Sequence, residues 1–142
     1  MQNRKGYRWL CGILLIICLG QFLYIYVSSK KTLEPTRVIS TTSVGDNGAI
    51  YEVLFDSGGA TTPFVYRYYL MRRQNSMDEV LEEVKVGNPF LVTKSTAAVR
   101  DVLRGRVKLK VMDTIYDYHN VSFYKVDGEI KIIKFDLDSK MP

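Results

Sequence analysis

No cysteine occurs beyond position 18 of this 142-residue sequence, and histidine occurs once, as His119. These shortages exclude disulfides from most of the chain and remove one class of site. Cys11 and Cys18 stand seven residues apart in an apolar run, on one face of a helix but two turns apart, too distant to bridge. One histidine without a thiol cannot assemble the usual zinc ligand set, so His119 is read as a turn or surface residue. Acid is missing from residues 1–31, which carry five Lys or Arg, whereas residues 32–142 carry fifteen basic and fifteen acidic residues. The formal net charge of +5 therefore belongs to the N-terminal segment. A neutral remainder argues against nucleic acid, whose binding is driven by phosphate neutralisation. The local basic stretch of Arg100, Arg104, Arg106, Lys108 and Lys110 is interrupted or flanked by Asp101 and Asp113. Neither a phosphate-binding glycine loop nor a dinucleotide fingerprint is present, and no cofactor is expected.

What the N-terminal segment does have is Trp9 to Val27, WLCGILLIICLGQFLYIYV, nineteen residues without a charge. As a helix it spans roughly 28 Å, close to the hydrocarbon thickness of a bilayer. Tyr7 and Trp9 at one end, with Tyr24 and Tyr26 at the other, suit the headgroup layers. Val27-Ser28-Ser29 offers a weak small-x-small cleavage site, but the run exceeds the usual signal core of about 7–15 residues. Ile17 stands before Cys18 where a lipoprotein signal needs a small residue. An uncleaved anchor is the expectation. Arg4, Lys5 and Arg8 nearly balance Lys30, Lys31 and Arg37 across it, and the short tail with its terminal amine favours a cytoplasmic N-terminus. The expected organisation is a basic cytoplasmic tail (1–8), a transmembrane helix (9–27), a polar tether (28–35) and an extracytoplasmic domain (36–142). The protein is thus expected in the inner (plasma) membrane. The domain has the usual size of one that buries a single core unaided.

Periodicity in that domain predicts α+β with a mainly antiparallel sheet and one or two short helices. Residues 36–44 and 49–56 read as strands around Gly45-Asp46-Asn47-Gly48, a hairpin signal, and residues 64–72 as a third strand. Ser76 and Glu79 form a capping-box pair before Met77, Val80, Leu81 and Val84, which repeat with helical spacing until Gly87 and Pro89. Phe90 to Lys94 reads as a short strand. Ser95 is read as the cap of a second small helix, with Ala98, Val99, Val102 and Leu103 inward and Gly105 at its end. Residues 106–112, 114–125 and 129–137 read as strands, the last two joined by Asp127-Gly128.

The stretch Asp56-Ser57-Gly58-Gly59 invites three readings. It resembles the nucleophile loop of the chymotrypsin-like serine proteases, but His119 follows Ser57 in the chain, Phe55 stands where that family has glycine, and about 110 residues cannot hold two barrels. Val53 to Gly58 resembles the signature of the aspartic proteases, which implies a retroviral-type dimer pairing Asp56 from two chains as acid and base toward one water. That family's later apolar–apolar–Gly segment has only Val102-Leu103-Arg104-Gly105 as a counterpart here. The preferred reading is a turn, with Gly58 and Gly59 taking backbone angles other residues resist.

The longer block DSGGATTPFVYRYYL is similar to small uncharacterised bacterial membrane-anchored proteins, which implies a bacterial setting and no particular activity. Asp113 and Asp117, like Asp136 and Asp138, lack the ligand spacing of a calcium loop, and no metal site is expected. Asn120-Val121-Ser122 has the acceptor pattern for N-glycosylation. Tyrosines are dense on the predicted strands, and Tyr66, Tyr68, Tyr69, Tyr116 and Tyr118 are candidates for an aromatic recognition patch. The functional expectation is a single-pass, non-enzymatic protein-binding module of accessory, assembly or immunity type facing the periplasm. The aspartic protease is the alternative.

Overall fold

The computed structural model describes residues 4–28, 33–56 and 63–140. The chain divides into two units, Met1–Thr32 and Leu33–Pro142. The first is helix α1 (Arg4–Ser28). Its segment Trp9–Tyr26 is long and apolar enough to cross a membrane, and no part of that segment is buried against protein.

The second unit contains, in chain order, β1 (Pro35–Val44), β2 (Gly48–Phe55), β3 (Val65–Arg72), α2 (Met77–Val86), β4 (Leu91–Thr93), β5 (Val99–Leu103), β6 (Arg106–Val111), β7 (Ile115–Tyr118), β8 (Val121–Val126) and β9 (Glu129–Ser139). Among the described residues these strands form two sheets, ordered β1-β2-β3-β4-β7 and β5-β6-β9-β8. Every pairing is antiparallel except β6 with β9. The expected α+β class and antiparallel bias are therefore present, divided between two sheets instead of one.

Strand β2 lies between β1 and β3 and is buried along its whole length. Side chains alternate across a sheet, so β2 feeds two cores. Ala49, Tyr51, Val53 and Phe55 join Tyr69 and Met71 beneath Val80 and Val84 of α2. On the other face Ile50, Tyr68 and Leu70 pack on Val107, Leu109, Val111, Ile133 and Phe135 of the second sheet. The result is three layers, helix on sheet on sheet. The Phe90 and Phe135 rings stack between the two sheets at 3.8 Å.

Helix α2 starts and stops as its sequence dictates. Glu79 N–H donates to the Ser76 hydroxyl at 3.2 Å, the Glu79 carboxyl accepts from Asn75 N–H, and Gly87 N–H closes the end on Glu83 O. Val80 and Val84 carry the buried stripe, whereas Met77, expected beside them, is exposed.

Two expectations are corrected. Residues 99–103 form strand β5, not a helix: Ala97 takes φ +52, which breaks any helical turn begun at Ser95, and β-branched Val99 and Val102 pair with β6. Residues 114–125 are not one strand. Strand β7 pairs with β4 in the first sheet, β8 pairs with β9 in the second, and the chain changes sheets at His119 and Asn120. The change is fixed by His119 N–H donating to Phe90 O and Asn120 O accepting from Phe135 N–H, each at 2.8 Å.

Both expected hairpins form, with positive φ at Gly45, Asn47, Asp127 and Gly128. Gly48 is required for a different reason. A Cβ there would lie 2.4 Å from Cζ of Tyr124 and 2.6 Å from Val44 O. The Tyr124 ring is buried, with its hydroxyl 3.2 Å from Val44 O, so neither neighbour has room to yield. Gly48→Ala is expected to lower stability by about 1–3 kcal/mol, the usual range for overpacking. Denaturant unfolding of the detergent-solubilised chain measures this, and an unchanged midpoint would refute the clash.

Candidate binding surface

Strand alternation separates the tyrosines expected to form one patch. Tyr68 and Tyr69 are adjacent, so they enter opposite cores, and both are fully buried. Tyr68 hydroxyl donates to Ser95 O at 3.0 Å and accepts from Ala98 N–H at 3.1 Å. Tyr66 is half-buried against the inter-sheet core, and Tyr118 spans the two sheets by donating to Phe135 O at 2.6 Å. Only Tyr116 of the five is exposed. The five tyrosines therefore do not share one surface: Tyr68 and Tyr69 lie in separate cores, Tyr66 and Tyr118 pack at the inter-sheet core, and Tyr116 is exposed.

The turn motif lies partly out of view: Gly58 and Gly59 are outside the described residues. Asp56 is exposed just past the end of β2, and its N–H donates to the Thr36 hydroxyl at 3.2 Å. Phe55 pairs with Val65, so residues 56–64 connect adjacent antiparallel strands. His119 is exposed at the sheet change, with Nε2 3.4 Å from Oδ2 of Asp117. Among the described residues no three of His, Cys, Asp and Glu gather as metal ligands.

One buried polar group was not anticipated. Glu52 interrupts the run Ile50-Tyr51-Glu52-Val53-Leu54-Phe55, and it is buried. Both carboxyl oxygens are occupied. One accepts from Ser40 hydroxyl at 2.7 Å, the other from Thr96 hydroxyl at 2.5 Å and from Ala97 N–H at 3.1 Å. Glu52 and Tyr68 together hold the connection from β4 to β5. An acid within an otherwise apolar strand was the sequence signal for it.

The surface that stands out chemically is the outer face of the second sheet. Val121, Phe123, Ile130 and Ile132 are 44%, 58%, 58% and 60% exposed. Register makes them neighbours, since Phe123 lies opposite Ile132, Val121 opposite Lys134 and Lys125 opposite Ile130. The inward row of the same hairpin, Tyr124, Val126, Ile133 and Phe135, fills the core. A strand reading Ile130, Ile132, Ile133 and Phe135 is thus apolar on both faces, a signal that core filling alone does not explain. Beside Val121 and Phe123 a cleft of about 320 Å³ opens, bounded also by Pro89, Asp117 and His119. Lys125 and Lys134 are exposed at either side of the apolar group, and neither has an acidic partner among the described residues. Such a surface can bury an apolar anchor and steer carboxylates.

No family model, curated protein or solved structure matches the chain.

Two outcomes test the buried network. Glu52→Ala leaves two hydroxyls and an amide N–H without their acceptor, and a stability loss of about 3 kcal/mol is expected; a loss below about 1 kcal/mol would show the network to be dispensable. Burial pushes the Tyr68 hydroxyl well above its usual range, the Ala98 N–H opposes this, and Glu52 adds to the rise. Burial also raises Tyr69 and Tyr118. A raised pKa means that the folded state keeps a proton the unfolded state releases, so this stabilisation is complete below about pH 10 and is lost as pH rises further. For Tyr68 alone stability should fall by up to about 1.4 kcal/mol per pH unit above that point. Denaturant unfolding at stepped alkaline pH measures the slope, which Tyr68→Phe should reduce.

Proposed function

We propose that the chain is a single-pass membrane protein, tethered through α1, whose β-rich domain lies outside the cytoplasm of a bacterial cell and binds another protein without performing catalysis. The supporting observation is the apolar group Val121, Phe123, Ile130 and Ile132, exposed on a sheet whose opposite face packs against the first sheet. Exposed aliphatic and aromatic side chains clustered beside a cleft, with unpaired cations at their margin, have the composition of an interface centre and rim. The anchor rests on the unburied Trp9–Tyr26 segment. The bacterial setting rests on the resemblance of the 56–70 block. An accessory, assembly or immunity role fits this format, since each requires a tethered recognition surface.

The full chain should stay in the membrane pellet after alkaline extraction. A cysteine introduced as Lys125→Cys should react with a membrane-impermeant reagent on intact cells; reaction only after permeabilisation would overturn the orientation. A photo-crosslinking residue at position 123 should capture one stoichiometric protein from native membranes. Ile132→Asp should reduce that capture about ten-fold or more, a loss of about 1.4 kcal/mol, with the unfolding midpoint unchanged. Capture that is indifferent to the substitution would refute this surface.

A further inference from the structure

The hydrogen-bond register of the second sheet shows what kind of segment its margin can take. Strand β8 is an edge, paired with β9 on one side only. Asn120 O accepts from Phe135 N–H at 2.8 Å, and in an antiparallel ladder bonded and non-bonded pairs alternate. With Ser122 opposite Ile133, Tyr124 opposite Lys131 and Val126 opposite Glu129, these residues spend their N–H and C=O groups on β9. Val121, Phe123 and Lys125 therefore aim theirs away from β9, along the open edge. No other described group takes them. The parallel side of β9 agrees, since Lys134 N–H donates to Gly105 O, away from β8.

We propose that the open edge of β8 binds an extended segment of the partner protein as an added strand, and that this segment carries an apolar side chain flanked at alternate positions by acidic ones. The proposal rests on the binding function proposed above and names the partner's chemistry. Unpaired backbone donors and acceptors at strand spacing select an extended chain over a helix. The outward side chains of the same three residues select its sequence. Phe123, backed by Ile132, offers an apolar neighbour to one outward residue of the added strand. The next outward residues on either side meet Lys125 at one end and, at the other, Val121 with Lys134 behind it. Opposite charges across a strand pair stabilise it and like charges oppose it, so the flanking residues are Glu or Asp. An inward side chain of the added strand would enter the cleft between Phe123 and Pro89.

The probe is an acetylated and amidated peptide, Thr-Glu-Thr-Ile-Thr-Glu-Thr, with a control in which both glutamates are lysines, added to the full chain in nanodiscs. Amide hydrogen exchange at Val121, Phe123 and Lys125 should be fast in the free chain and slow about ten-fold or more with the glutamate peptide. The lysine peptide should bind about ten-fold more weakly or not at all, and Lys125→Glu should remove that preference. Ser122, Tyr124 and Val126, already bonded to β9, should change little. Absence of protection at the three edge amides, or equal binding of both peptides, would overturn the proposal. So would edge protection in the free chain that grows with protein concentration, because a second copy would then occupy the edge. Crosslinking at position 123 with no edge protection would refute strand addition while leaving the binding function standing. Loss of both would refute the two together.

Discussion

The buried carboxyl of Glu52 is the constraint on which the two-sheet arrangement depends. It sits on β2, which is buried along its whole length, and it accepts from β1 through Ser40 and from the β4–β5 connection through Thr96 and Ala97. A polar group so placed is stabilising only when its oxygens are occupied. Occupying them requires Ala97 to adopt positive φ, and that bend directs residues 99–103 into the second sheet as a strand. Tyr68 reinforces the same bend from β3.

The second sheet is joined to the first by the same kind of contact repeated at its other margins. Tyr118 hydroxyl donates to Phe135 O across the layers, and Tyr124 hydroxyl donates to Val44 O at the first hairpin. Each of these tyrosines combines a ring that fills the core with a hydroxyl that satisfies a backbone carbonyl at its boundary. The density of tyrosine in the sequence thus serves assembly of the layers. The surface proposed for recognition is instead the exposed aliphatic and phenylalanine side chains on the outer face of β8 and β9.

Those outer residues and the α1 helix are both apolar surfaces left uncovered among the described residues, and their chemistry differs. Helix α1 is apolar over a length that matches a bilayer and contains no charge between Trp9 and Tyr26. The β8–β9 face is a small apolar group with Lys125 and Lys134 at its sides and unpaired backbone groups along one edge. The first has the length and apolarity of a bilayer-spanning segment. The second is the surface proposed above to take a protein strand.

Much of this was legible in the amino-acid order because local rules govern it. The uncharged run of nineteen residues, the hairpins at Gly45–Gly48 and Asp127-Gly128, the Ser76 cap and the Gly87 stop each depend on residues within a turn of one another. The sequence by itself determined the α1 segment, the strand-rich α+β class and the limits of α2. Tertiary structure alone decided that residues 99–103 extend instead of coiling, that residues 114–125 divide between sheets, and that Tyr68 and Tyr69 are core. It also decided that Ile130 and Ile132 face outward, for β9 is apolar on both of its rows and only pairing with β6 and β8 selects which row is covered. Local propensity weighs neighbours along the chain, whereas these outcomes turn on partners as distant as Glu52 and Ala97, which meet only once the sheets are assembled.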